Sequence, residues 1–230
     1  MKVYLDASDV YALEKSTPNM RDKLLIRFLF FLACRISEAL SITVQDIDFK
    51  TQTIIVKHLK ERSKLFCPSC KTRLSKSDKY CRGCSRRISQ ATKEKLEQHR
   101  RRILPIDSKT LKMLKQYIDR GGPINRNGQL LIFGINRHRA WQIIKQCAEK
   151  AGLPKLINPE TGKIHNVSPH RFRDAFAVNA VKHNDSGDGL RMLQEHLGHT
   201  SISTTMRYRK VAGEEHKEWY NRLFNKEGAE

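Results

Sequence analysis

The stretch SPHRFRDAFAVNAVKHNDSGDGLRMLQEHLGHTSISTTMRY, residues 168–208, decides how this chain is read. Ser168 and Pro169 read as the N-cap and first residue of a helix. That start places His170 and Arg173 three residues apart, on one face of the first turn. A helix N-terminus favours anions through its free N–H groups and its dipole. An imidazole and a guanidinium added there make a site suited to phosphate. Further on, LGHTS closes one helix with Gly198 at a C′ position and opens another at Ser201. His199 occupies that corner, and Tyr208 follows nine residues later in a short polar helix.

Upstream, the apolar run LLIRFLFFLAC (24–34) leads straight into RISEALSITVQDID (35–48). The run is too short to span a bilayer and Arg27 interrupts it, so it reads as a buried helix. Arg35 follows directly, its stem held against the core. A guanidinium kept there without an anion costs on the order of several kcal/mol. Glu38 supplies one partner and a bound phosphate another. Taken alone, the segment equally describes an Arg–Glu pair on a solvated helix face.

Composition narrows the function. A chain of 230 residues holds one good-sized core and a small satellite. Its 44 Lys and Arg against 24 Asp and Glu give a net charge of +20, which points to a polyanionic partner, most simply nucleic acid. The opening MKVYLDASDV has no apolar secretory core, so a cytoplasmic, nucleoid-associated protein without membrane contact is expected. Six cysteines in such a chain argue for metal or free thiols rather than disulfides.

Four of those cysteines form two C-x-x-C pairs, CPSC (67–70) and CRGC (81–84), ten residues apart. Cys67, Cys70, Cys81 and Cys84 therefore match a tetrahedral four-thiolate zinc site. The alternative, a redox C-x-x-C, fits poorly with two such pairs in a polar segment too small for its own core. Such a zinc ion would be structural, because four thiolates leave no open coordination position. Residues 57–102 carry sixteen Lys and Arg against four Asp and Glu, a net of +12 out of the chain's +20. A metal-ordered knuckle with that charge reads as a phosphate-contacting module. Cys34 and Cys147 lie in apolar helical context and are expected to be buried.

Elsewhere the pattern is mostly helical. LDASDVYALEKST (5–17) reads as a helix capped near Asp6 or Ser8, and 21–34 as the apolar helix. ISEALSI continues as a short helix. TIIVKHLK (53–60) and RRILPI (101–106) read as outgoing and returning strands. A helix over 107–120 follows, then a turn. An amphipathic helix over 136–152 places Trp141, Ile144 and Ala148 on one side. PKLINPETGKIHNV (154–167) reads as a loop. Trp219, Leu223 and Phe224 give the tail an apolar helical stripe.

The pattern H-x-x-R, then L-G-H, then a tyrosine nine residues on, together with the Arg35–Glu38 box, resembles the tyrosine recombinase (phage integrase) family. The matches run in order over roughly residues 4–210, interrupted by one insertion. The resemblance implies an α+β, mostly helical catalytic-domain fold with a small antiparallel sheet, here carrying the inserted four-cysteine zinc knuckle. The expected organisation is a discontinuous catalytic domain (1–60 and 99–209), a zinc-ribbon-like insertion (61–98) and a tail helix (210–230).

It also implies roles. Tyr208 would attack the scissile phosphate of double-stranded DNA and form a covalent phosphotyrosyl link. Arg35 and Arg173 would clamp the non-bridging oxygens with forked donors, and His199 would add a hydrogen bond. His170 would be a general base or orienter, and Glu38 would position Arg35. The family's proton-donating lysine maps to Lys60, with Lys57 as the alternative. No ATP and no catalytic metal are expected. Assembly on DNA would be homo-oligomeric, as a tetramer, and the tail would dock on a neighbour. Only about thirty residues precede Arg35, too few for the family's N-terminal DNA-binding domain. The zinc insertion or an accessory DNA-binding protein would then supply part of that grip. A recombinase or integrase of a mobile element is the leading reading. The alternatives are a catalytically idle zinc-ribbon DNA-binding protein and a type IB topoisomerase.

Overall fold

A computed structural model describes residues 2–57, 62–75, 78–88, 92–96, 101–158, 161–209 and 221, with backbone alone over 62–65 and 92–96. Two compact units emerge: Met1–Lys57 with Arg102–Glu230, and His58–Arg101.

In the larger unit, α1 (Ala7–Ser16) starts at Asp6, whose carboxylate accepts from the Asp9 amide while Asp9 returns a bond to the Asp6 amide. The two orphan N–H groups satisfied this way fix the helix start. Next comes α2 (Met20–Phe31), buried along nearly its whole length because Leu24, Leu25, Ile26, Phe28 and Leu29 are fully enclosed. It ends earlier than its apolar run suggests: Ala33 adopts a left-handed conformation (φ 47°) and turns the chain. The short helix α3 (Ile36–Leu40) follows at once. Arg27, expected only as an interruption, is a buried tie. It donates to Glu14 at 2.7 Å, to Asp107 at 2.7 Å and to Thr110 Oγ1 at 2.6 Å. The core can accept this charge because its donors are paired.

Strands β1 (Ile47–Asp48) and β2 (Thr53–Lys57) pair antiparallel, with Ile47 opposite Ile54. Period-two alternation buries Ile54 and Val56 and leaves the residues between them half-buried. The chain then enters the smaller unit through β3 (Arg62–Phe66), β4 (Arg73–Leu74) and β5 (Thr92–Leu96), a sheet in the order β4-β3-β5. It returns on β6 (Arg101–Pro105), which lies beside β2.

Then come α4 (Ser108–Asp119), a hairpin of β7 (Ile124–Arg126) and β8 (Gln129–Leu131), and α5 (Arg137–Lys150). Asn127 and Gly128 both take positive φ at the hairpin tip, the conformation a two-residue turn of this hand demands. The buried face of α5 is Ala140, Ile143, Ile144, Cys147 and Ala148. Trp141 does not join it: the residue is 40% exposed, with the Lys145 ammonium 5.9 Å from the ring centroid. Residues 154–167 are not a plain loop, since β9 (Leu156–Ile157) and β10 (Ile164–His165) pair antiparallel.

Three helices follow, α6 (Pro169–His183), α7 (Gly187–Leu197) and α8 (Ile202–Arg209). Ser168 and Pro169 stand where the sequence puts them, but the Ser168 side chain makes no cap bond. Gly198 closes α7 in the left-handed conformation (φ 64°), and a Cβ there would meet Arg102 at 3.0 Å. Glycine is needed twice over, for the turn and for the approach. Of the tail, only residue 221 is described, so the expected apolar stripe lies outside the described residues. Among the described residues no helix is long and apolar enough to cross a membrane.

Candidate active site

Ala33 turns the chain so that Arg35 becomes the N-cap residue of α3, with Glu38 at its third position. Glu38 is 1% exposed and accepts from the Arg35 amide at 3.0 Å and from Arg35 Nη1 at 2.8 Å. Its Oε2 also accepts from Arg102 Nη2 at 2.7 Å, and Arg102 Nη1 donates to the His196 carbonyl at 2.6 Å. Burial alone would raise the Glu38 pKa. Arg102 first, then the Arg35 amide and guanidinium, outweigh it and hold the carboxyl below its usual range. A single buried carboxylate thus fixes two guanidinium groups.

Arg173 and His170 share the first turn of α6 but not an environment. Arg173 is 1% exposed. Its Nη1 donates to the Ala33 carbonyl at 2.7 Å and its Nη2 to the Leu197 carbonyl, at the C-terminal end of α7. A guanidinium has five N–H donors, so capacity remains for an anion. Burial, then the charge of Arg35, pushes the Arg173 pKa down to about 10. The His170 side chain is 69% exposed, with Nε2 3.6 Å from Asp174 Oδ1.

The helix α8 packs on α6 and α7 and brings Tyr208 back over them. The Tyr208 hydroxyl donates to Asp174 Oδ1 at 3.0 Å. Burial, then the Asp174 carboxylate, raises the phenol well above its ordinary pKa. The His199 ring lies nearly parallel to the Tyr208 ring, with centroids 6.3 Å apart, and its Nδ1 is 2.9 Å from Thr205 Oγ1. Burial, followed by Arg173 and Arg35, pushes His199 down to about 4. A neutral imidazole that accepts at Nδ1 presents an N–H at Nε2. Arg35, Arg102 and Arg173 interact electrostatically around the one buried Glu38 carboxylate, an excess of positive charge suited to an anion.

The phage integrase family model matches residues 4–215, most of the chain. The chain belongs to the phage integrase family. Tyrosine recombinase XerD of Neisseria meningitidis serogroup B is 27% identical over 208 residues, which cover 86% of this chain and 54% of that protein. The chain therefore spans about half the length of the curated relatives it matches. The fold agrees with the crystal structure of XerA recombinase (TM-score 0.64, 19% identity, 97% of this chain and 66% of the other). It also agrees with the catalytic domain of bacteriophage HP1 integrase (TM-score 0.51, 16% identity, 98% and 96%). The expected mostly helical catalytic-domain fold with small antiparallel sheets is thus the observed one.

Within this phage integrase fold, Arg35, Glu38, Arg173, His170, His199 and Tyr208 all lie in the larger unit, at the start of α3, the start of α6, the corner after α7 and the end of α8. Lys60 lies outside the described residues. Lys57, its alternative, is paired with Asp46 at 2.8 Å. Sequence reasoning misses Arg102 and Asp174. Arg102 stands in a return strand that reads only as β-structure. Asp174 follows Arg173 directly, but nothing local tells that its partner is 34 residues away. It misses His196 too. That ring stacks on Phe176 at 4.7 Å, and burial, then Arg102, pushes it down to about 4.

The smaller unit gathers the four cysteines. Their sulfur atoms lie within 4.8 Å of one another, with Cys67–Cys84 at 3.7 Å and Cys70–Cys81 at 3.4 Å. A tetrahedral zinc with Zn–S bonds of about 2.3 Å separates its sulfurs by roughly 3.8 Å, so the cluster has the right size. Both C-x-x-C turns are built alike. The Cys67 amide donates to the Thr72 carbonyl and the Cys81 amide to the Arg86 carbonyl, both at 2.9 Å. Lys71 and Ser85 take matching positive φ. The donor set and spacing fit zinc.

Proposed function

We propose that the chain is the catalytic part of a site-specific DNA recombinase that cuts and rejoins double-stranded DNA through a 3′-phosphotyrosyl intermediate. The observation that carries this reading is Tyr208 on α8 beside Asp174 and His199, with Arg173 acting on both rings and the Glu38-held Arg35 acting on Arg173 and His199. Tyr208 attacks the scissile phosphate, its oxygen–phosphorus bond forms, and the 5′ oxygen leaves. Covalent capture conserves the bond energy, so a 5′-hydroxyl of another strand reverses the step without ATP.

Each remaining residue has a part. Arg35 and Arg173 neutralise the charge that builds on the non-bridging oxygens, and His199 donates a third hydrogen bond. Glu38, anchored by Arg102, keeps the Arg35 guanidinium in place. Lys60 is the proposed proton donor to the leaving oxygen. The catalytic domain comprises 1–60 and 99–209.

Zinc on Cys67, Cys70, Cys81 and Cys84 would cross-link the insertion 61–98. Its exposed Lys71, Arg73, Lys79, Arg82, Arg86 and Arg87 suit it to contact the DNA backbone. The tail 210–230 would dock on a neighbouring copy in a tetramer on DNA, for a mobile element. The test is incubation, without ATP or added metal, with nicked duplexes tiling the DNA that flanks the gene. A covalent protein–DNA band that Tyr208→Phe abolishes is expected. Its absence from the wild type would contradict the reading.

A further inference from the structure

We infer that Asp174 is the proton acceptor for Tyr208, the group that removes the phenolic proton as the tyrosine oxygen attacks phosphorus. The inference rests on Tyr208 being the nucleophile. It begins from geometry: the hydroxyl donates to Asp174 Oδ1 at 3.0 Å, inside the range required of a general base. His170, which the sequence offers for this role, is one group removed. Its Nε2 stands 3.6 Å from the same Oδ1, and its side chain is mostly exposed. Both groups therefore address one carboxylate oxygen, the tyrosine from the α8 side and the imidazole from the start of α6.

The carboxylate is held for this purpose. Its other oxygen, Oδ2, accepts from Arg171 Nη1 at 3.1 Å, and its side chain is 9% exposed. Water is largely excluded from the acceptor, and its orientation is fixed by a charged neighbour. An ionised carboxylate beside the phenol also disfavours a free phenolate, because two negative charges would then face each other. The proton must therefore move during attack. In that step the Tyr208 oxygen–phosphorus bond forms and the bond to the 5′ oxygen breaks. The phenolic proton passes to Asp174 Oδ1, and the leaving oxygen takes a proton from the general acid. Rejoining runs the same transfers backwards, so Asp174 returns its proton to the tyrosine. His170 becomes a positioning residue on the solvent side of Oδ1.

The decisive variant is Asp174→Asn, in the full chain, with the nicked duplexes named above. Its carboxamide oxygen accepts the same hydrogen bond from Tyr208 but cannot take the proton. Single-turnover cleavage is expected to fall about 100-fold or more, with DNA affinity unchanged. Replacing Tyr208 in that variant by the more acidic 3,5-difluorotyrosine is expected to recover much of the loss. His170→Gln is expected to lose less than Asp174→Asn. Cleavage by Asp174→Asn at or above the wild-type rate would overturn the assignment and make the contact a mere tether or a restraint. Should Asp174→Asn fail to melt cooperatively, Asp174→Glu keeps the charge but displaces it. A loss of about 10-fold is then expected, and an unchanged rate overturns the assignment. Failure of the wild type to form covalent product removes the underlying reading, and the assignment with it.

Discussion

The Arg173 guanidinium donates to the Ala33 carbonyl at 2.7 Å across 140 residues of sequence, and with its other nitrogen to Leu197. It therefore locks the turn before α3 to the end of α7, the two places from which Arg35 and His199 are presented. A lysine at 173 offers a point charge on a shorter reach in place of the planar fork that bonds the two carbonyls through separate nitrogens. Hydrogen bonds from charged groups contribute about 1.5–3 kcal/mol each. Arg173→Lys is thus expected to lower unfolding stability by about 3 kcal/mol in urea titration, besides suppressing cleavage by about 100- to 1000-fold.

Glu38 connects stability to pH. Replacing it by Gln leaves Arg35 and Arg102 without their shared buried anion, a loss on the order of 3–5 kcal/mol near neutral pH. Its folded pKa lies below the ordinary carboxyl value, so the stabilisation is present above that ordinary value and fades as pH falls through the folded one. Thermal melts of wild type and Glu38→Gln should therefore converge in acid. A gap that stays constant as pH falls well below the ordinary carboxyl range would contradict the pairing.

His199 runs the other way in charge but not in pH. Its folded pKa of about 4 lies below the ordinary imidazole value of 6.5, so folding favours the neutral ring. The associated stability is complete above about pH 6.5 and is lost as pH falls toward 4. In NMR titration the His199 ring should change state near pH 4. Added inorganic sulfate, by offsetting Arg35 and Arg173, should raise that midpoint.

How far the sequence reaches is clearest at these residues. Local signals place His170 and Arg173 on one helix turn and His199 at a glycine-closed corner, because caps, a left-handed glycine and helix periods are local; their union with Tyr208 into one site comes from the family resemblance. Spacing finds the cysteine pairs. What it misses depends on chain folding: Tyr208 meets Asp174 only because α8 returns over α6. Arg102 reaches Glu38 from a strand whose neighbour is β2, across 64 residues. The early end of α2 is hidden because Ala33, not glycine, takes the positive φ. Hydrophobicity points Trp141 inward, yet neighbouring Ala140 and Ile144 already fill that face of α5.

The cysteine cluster yields a metal-removal test. The purified chain should carry about one zinc ion, as a four-thiolate structural site does. Cys67→Ser with Cys81→Ser should abolish it and open residues 67–88 to protease. The larger unit has its own core and should keep its cooperative melt. Excising residues 64–98 with a short linker should weaken DNA binding at moderate salt. Unchanged affinity would contradict a DNA-contacting role for the insertion.

The central claim is that Tyr208 becomes joined to DNA. The most direct measurement is mass spectrometry of the covalent product, digested with nuclease and protease, to locate the nucleotide adduct. The expected result is a 3′-phosphate adduct on the peptide bearing Tyr208 and on no other. An adduct on another residue, or free cleaved ends with none, would contradict the account.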